Sequence, residues 1–124
     1  MSDGARGVVV AHGALAAALV LEAERISGQT GVLTAVSNDD CGREEIEQRV
    51  ALAAKDGPTV IFVDMPCGSC FFAAMRQTRE RPDVRVVTGV NLPMLLDFVH
   101  HRSLPPADGA ARAADKGSDA IRQA

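Results

Sequence analysis

Tryptophan and tyrosine are absent from this chain, and four phenylalanines supply all of its aromatic side chains. A core with so few rings must be filled by alanine, valine and leucine, which suits helices packed on a sheet. Positive charge is not in excess either: 13 Lys and Arg face 16 Asp and Glu, a formal net charge of -3. That balance gives no electrostatic footprint for nucleic acid. No apolar run approaches the ~20 residues of a membrane span, so no direct membrane insertion is expected. No basic segment precedes an apolar one at the N-terminus as a secretory signal requires. Three cysteines, an odd number, make no disulfide framework and fit a reducing compartment. Neither Gly-x-x-x-x-Gly-Lys-Ser/Thr nor Gly-x-Gly-x-x-Gly occurs, so nucleotide and dinucleotide binding have no support. Repeats are missing as well. The expectation is one cytoplasmic domain over 1–124, with a core at 6–104 and a C-terminal helix and edge strand at 105–124.

Within it, short apolar runs alternate with helical spacing. Gly7-Val8-Val9-Val10-Ala11 reads as a strand buried on both faces, ended by His12-Gly13. Leu15, Ala18, Leu19, Ala23 and Ile26 then share a helical face, with Gly28 as a stop. Val32 to Val36 is a second strand. The polar loop Ser37-Asn38-Asp39-Asp40-Cys41-Gly42 follows, and its Asp and Asn side chains can cap a helix from Arg43 to Lys55. The third strand, Thr59 to Asp64, turns through Pro66 and Gly68 into a helix from Ser69 to Arg79, with Met75 at core-like spacing. Val84 to Thr88 is the fourth strand. Gly89-Val90-Asn91-Leu92-Pro93 then opens a helix with Leu92, Leu95, Leu96 and Val99 on one face and Met94 at core-like spacing. Past Pro105-Pro106, Asp108 to Lys116 is a small-residue helix, Gly117 its stop and Ala120-Ile121-Arg122 a short edge strand. The class is α/β: a three-layer sandwich around a four-stranded, mainly parallel sheet with right-handed crossovers.

Four parallel strands deliver their C-terminal loops to one rim, where ligands of open α/β sheets bind. His12, the Asn38 to Cys41 loop, Asp64 through Cys70, and Asn91 meet there. A neutral imidazole is a nucleophile. An aspartate at a neighbouring strand end can accept from one ring nitrogen, fix the tautomer and stabilise the imidazolium. No serine stands in an elbow context, so His12 itself is the acceptor, and the helix N-termini at Gly13 and Ser69 offer amides to an anion. The pattern allows a phosphohistidine, while a capping or loop histidine is the commoner explanation of a lone His. Cys67-Gly68-Ser69-Cys70 at a strand-to-helix turn is a redox dithiol candidate, although no tryptophan stands beside it. Cys67, Cys70, His12 and Cys41 could approach a tetrahedral metal set, a reading ranked below the dithiol, and no metal ligand is assigned. Packing of small residues in a tight turn is the simplest account of these cysteines. His100 and His101 at a helix end read as surface residues.

Several segments carry a family resemblance. They are Val8-Val9-Val10-Ala11-His12-Gly13 with Leu15-Ala16, then Ala23-Glu24-Arg25-Ile26-Ser27-Gly28, then Val63-Asp64 followed by Gly68-Ser69. The longest is Thr88-Gly89-Val90-Asn91-Leu92-Pro93-Met94-Leu95-Leu96. Together they resemble the mannose-type enzyme IIA (EIIA) domain of the bacterial phosphoenolpyruvate:sugar phosphotransferase system (PTS). The resemblance implies a phosphotransferase without cofactor, in which His12 accepts a phosphoryl group from the phosphocarrier HPr and passes it to an enzyme IIB partner. Asp64 would be the hydrogen-bond partner of His12, and Gly13, Gly68 and Ser69 would hold the phosphate. The service is sugar uptake or regulation of the transport system. The resemblance also implies a homodimer in which a C-terminal edge strand can be swapped between subunits. One departure stands out: where the family usually has Gly-Gly-Ser-Pro, an aromatic and Asn, this chain has Cys67-Gly68-Ser69-Cys70-Phe71-Phe72.

Overall fold

Runs such as Val8-Val9-Val10-Ala11 and Val60-Ile61-Phe62-Val63 carry apolar side chains on both faces, so each must lie in a sheet covered on two sides. In the computed structural model, which describes residues 4–124, they form the two central strands. β1 (Arg6–Ala11), β2 (Leu33–Ser37), β3 (Thr59–Val63) and β4 (Val84–Thr88) pair in parallel, in the order β2-β1-β3-β4. The helices are α1 (Leu15–Ser27), α2 (Arg43–Ala53), α3 (Gly68–Arg76), α4 (Leu92–His100) and α5 (Pro106–Asp119). On one face, Ala16 and Ala23 of α1, Leu95 and Phe98 of α4 and Ala113 of α5 bury Val9, Val60 and Phe62. On the other, Ile46 and Val50 of α2 and Ala73 and Ala74 of α3 bury Val8, Val10, Ile61 and Val63.

Two of the few rings meet in the first layer, Phe62 and Phe98, edge to face with centroids 5.2 Å apart. Gly7 makes room for that packing. A Cβ there would sit 2.5 Å from Leu33 Cδ2 and 2.8 Å from Phe98 Cε2.

The register of β1 against β3 pairs Val9 with Phe62 and Val10 with Val63. The Asp64 amide donates to Val10 O at 3.3 Å, so the two chains leave the sheet side by side. β2 lies on one flank of β1, while β3 and β4 lie on the other. The strand order therefore reverses between β1 and β3, which is where open α/β sheets form their binding crevice.

Several expectations need correcting. The buried residues of α1 are Ala16 and Ala23, with Leu19 and Val20 packed beside them. Ile26 is 61% and Leu15 44% exposed, because an alanine-rich helix offers more than one apolar face. Met75 is likewise exposed. No Asp or Asn side chain caps α2, whose N-cap is Gly42. The polar loop is instead held by Arg49, which donates to Ser37 O at 2.8 Å, Asp39 O at 3.0 Å and Glu45 Oε2 at 2.6 Å. Gly117 lies inside α5 rather than ending it. A Cβ at Gly117 would meet Met94 Cε at 2.7 Å and Asn91 Oδ1 at 3.1 Å, so the glycine lets α5 approach α4 closely. Residues 120–124 form no strand in this single chain. Their first amides continue the winding of α5, Ala120 donating to Lys116 O and Ile121 to Ser118 O. Among the described residues no helix is long and apolar enough to cross a membrane.

Candidate functional site

The last residues of β1 are wholly buried, and the chain must then turn out of the sheet. Gly13 makes that turn at φ 59°, a left-handed conformation that costs glycine little. It leaves the His12 side chain 47% exposed above the Asp64 side chain, which is 9% exposed. His12 Nδ1 lies 2.7 Å from Asp64 Oδ2, and the His12 amide donates to the same oxygen at 3.0 Å. The expected dyad is therefore formed by residues 52 positions apart in the chain.

Burial works to raise the pKa of Asp64. The hydrogen bonds from the His12 ring and amide, with the His12 charge and the nearby Met65 amide, outweigh it, and the carboxyl sits below its usual value. An ionised carboxylate only accepts hydrogen bonds. The proton of a neutral His12 ring therefore belongs on Nδ1, and Nε2 keeps its lone pair on the exposed side.

Neighbouring strand ends fix the turn. The Gly13 amide donates to Asn38 Oδ1 at 3.2 Å, and Ser37 Oγ donates to Gly13 O at 2.9 Å. This engagement was not foreseen, and it commits the Gly13 amide that the sequence reading offered to an anion. The start of α3 is more open. Gly68 has φ 87°, Cys67 is the N-cap, and no side chain caps the helix, so the first-turn amides of Gly68 and Ser69 remain uncapped beside the exposed Ser69 side chain. Such a helix start carries partial positive charge.

The other candidates are placed differently. Asn91 does not serve the rim as a ligand. Its Oδ1 accepts the Met94 amide at 3.0 Å to cap α4, and its Nδ2 donates to Gly117 O at 3.1 Å to tie down α5. An asparagine just before Leu-Pro is an N-cap signal that the sequence already carried. His101 bonds Asp97 O at 2.8 Å at the end of α4, as a helix-terminal histidine should. Cys67 is exposed and Cys70 buried. Burial, with the charges of Asp64 and Cys41 behind it, pushes the Cys70 thiol up to about 11, the opposite of what an attacking thiol requires. Of the four residues considered as a tetrahedral set, His12 and Cys70 come together, joined by Asp64. The Cys41 thiol instead donates to Asn38 O at 3.1 Å.

Two surface hollows lie along the Arg76–Arg81 segment and beside β2 between Thr34 and Asp56. Close in sequence to the dyad, Leu15 at the start of α1 and Met65 in the turn present apolar side chains to solvent, as does Phe72 on α3.

Comparison with known proteins adds to this geometry. A family model, EIIA-man, described as "PTS system fructose IIA component", matches residues 7–114. The chain is 30% identical over 104 residues to the PTS system sorbose-specific EIIA component of Klebsiella pneumoniae, covering 82% of this chain and 77% of that protein. It is similar to the mannose/sorbose specific IIA subunit of the phosphotransferase system from Enterococcus faecalis at a TM-score of 0.86 and 21% identity, covering 98% of this chain and 95% of that one. For the phosphotransferase system component EIIA from Streptococcus agalactiae the TM-score is 0.87 at 18% identity, over 95% of each chain. The two structural likenesses establish the shared fold.

Proposed function

Since the chain belongs to the mannose-type enzyme IIA family of the phosphotransferase system, we propose that it is a phosphocarrier taking a phosphoryl group from phospho-HPr on His12 and passing it to a IIB partner. The observation that carries this reading is the 2.7 Å contact from His12 Nδ1 to Asp64 Oδ2, which leaves Nε2 free. The Nε2 lone pair attacks phosphorus in line, the P–N bond to the donor histidine breaks, and its electron pair returns to the donor ring. His12 becomes a phosphoimidazolium that keeps its Nδ1 proton, and the Asp64 carboxylate offsets the new positive charge. Discharge to the acceptor reverses these steps. Little covalent chemistry is asked of the protein, so positioning and electrostatics supply most of the catalysis. The uncapped amides of Gly68 and Ser69 suit the phosphoryl oxygens.

The exposed apolar side chains of Leu15 and Met65, close in sequence to His12 and Asp64, suit a macromolecular donor and acceptor. Whether the phosphoryl group serves uptake or regulation depends on that acceptor. We take the chain as one cytoplasmic unit that includes α5, since the family match runs to residue 114 and α5 packs on α4. Homodimer formation through the C-terminal residues belongs to the same proposal. The dithiol alternative loses support from the buried, protonated Cys70.

Incubation with enzyme I, HPr and labelled phosphoenolpyruvate tests the reading. Acid-labile, alkali-stable label on the wild type and none on His12→Ala is the expected result. No label on the wild type, or equal label on both, would overturn it.

A further inference from the structure

Cys70 takes no part in that transfer, yet its Sγ, a ring nitrogen of His12 and a carboxylate oxygen of Asp64 all lie within 4.8 Å of one another. Asp64 supplies a second, independent observation. Its side chain is 9% exposed, and Oδ1 is fully buried with no hydrogen-bond partner. A buried carboxylate oxygen without a well-formed hydrogen bond, even with the Met65 amide nearby, is unfavourable unless something else meets it. Imidazole, carboxylate and thiolate form the donor set of a borderline-soft divalent cation, zinc above all. We propose that one zinc ion binds between His12 Nδ1, the Asp64 carboxylate and Cys70 Sγ, with water as fourth ligand, and that zinc occupancy blocks phosphorylation.

The geometry needs a small adjustment. Zinc bonds of about 2.0 Å to nitrogen and oxygen and about 2.3 Å to sulfur put tetrahedral ligands roughly 3.3–3.7 Å apart. The Nδ1 to Oδ2 contact at 2.7 Å must therefore open, and the widest separation, at most 4.8 Å, must close. His12 is the mobile member, being half exposed, whereas Cys70 is fixed in the core.

The proton balance explains the blockade. Cys70 gives its thiol proton to solvent, since a coordinating thiol is deprotonated outright. Zinc takes the Nδ1 lone pair of His12, so the proton that Nδ1 donated to Asp64 must move to Nε2. A protonated Nε2 has no lone pair with which to attack phosphorus. Zinc and the phosphoryl group thus compete for one ring through opposite tautomers, without ever touching the same nitrogen. Binding stands on the geometry alone, whereas the blockade rests on the phosphocarrier reading.

The metal-free protein is titrated with Co(II) as a spectroscopic stand-in, and the cobalt is then displaced with Zn(II). One equivalent with a thiolate-to-cobalt charge-transfer band is expected. Cys70→Ala should lose the band and weaken zinc binding roughly 100-fold or more, beyond the usual effect of losing a second-shell partner. Cys67→Ser and Cys41→Ser should change neither. His12→Ala, a half-exposed position at which a melting curve checks the fold, should weaken zinc binding as well. Absence of the band in the wild type, its survival in Cys70→Ala, or unchanged zinc affinity in His12→Ala would overturn the site. With preformed phospho-HPr, saturating zinc should stop labelling of the wild type and spare Cys70→Ala. Full labelling of the zinc-loaded wild type would overturn the blockade. An intact cobalt band in a protein that never labels, even without metal, would count against the phosphocarrier reading instead.

Discussion

Asp64→Asn isolates what the aspartate contributes to His12. The substitution keeps the size and removes the charge. An asparagine oxygen can still accept from the His12 amide and from Nδ1, so the ring keeps its orientation. What disappears is the attraction between a carboxylate and the imidazolium that forms as phosphorus transfers. At the observed 2.7 Å, Coulomb's law gives about 6 kcal/mol at an effective dielectric constant of 20 and about 1.5 kcal/mol in bulk water. The His12 side chain is 47% exposed, so water screens the pair and the lower part of that range applies. Hydrogen bonds to charged groups contribute about 1.5–3 kcal/mol. The rate of phosphorylation should therefore fall roughly 10- to 150-fold. The asparagine NH2 would occupy the place of the unpartnered Oδ1, where it finds no acceptor. That costs about 1–3 kcal/mol, against the relief of no longer burying a charge, so a modest change in thermal midpoint is expected. Single-turnover quench-flow with phospho-HPr gives the rate, and a melting curve shows that the variant is folded. A folded Asp64→Asn protein labelled within about threefold of the wild-type rate, far short of a 1.4 kcal/mol effect, would refute the electrostatic role assigned to Asp64.

Three further predictions follow from the same structure. Because the Asp64 pKa is depressed in the fold, its stabilising contribution is present above the usual value of 3.8 and is lost as pH falls through the lower folded value; acid titration of stability should show a wild-type component below pH 3.8 that Asp64→Asn lacks. Gly7→Ala forces a methyl group against Leu33 and Phe98 and should cost about 1–3 kcal/mol by chemical denaturation; an unchanged midpoint would mean that the Phe98 ring has room to move. Iodoacetamide at about pH 8 should label Cys67 and leave Cys70 untouched in the native protein, since Cys70 is buried and titrates near 11; peptide mapping that finds both labelled equally would contradict the burial.

The sheet and the dyad were legible in the sequence for the same reason. Buried parallel strands read as unbroken apolar runs, and a His or Asp that ends such a run must emerge at the rim. The faces of α1 were less legible, because alanines at 14, 16, 17, 18 and 23 give several stripes of similar hydrophobicity. Periodicity picked out Ala23 and Leu19, but tertiary contacts chose Ala16 over Leu15 and Ile26. Gly117 was misread because a glycine that ends a helix and one that lets two helices touch look alike in one dimension. The role of Asn38 in holding Gly13 was invisible, since it depends on β2 lying directly beside β1. The joining of Cys70 to His12 and Asp64 likewise depends on β3 being the other neighbour of β1.

The reversal of strand order between β1 and β3 bears on where this chain can change length. The spacing of His12 and Asp64 is inherited from the register that sets Val10 against Val63, and the segment joining the two strands plays no part in setting it. Insertions at the exposed bends around Gly31 or Asp56 should leave the dyad spacing as it is, because connecting loops absorb added residues at little cost. Removing a single residue from within β1 or β3 would shift one strand against its neighbour and turn its side chains to the opposite face. Such a deletion would part the two residues as completely as mutating either one.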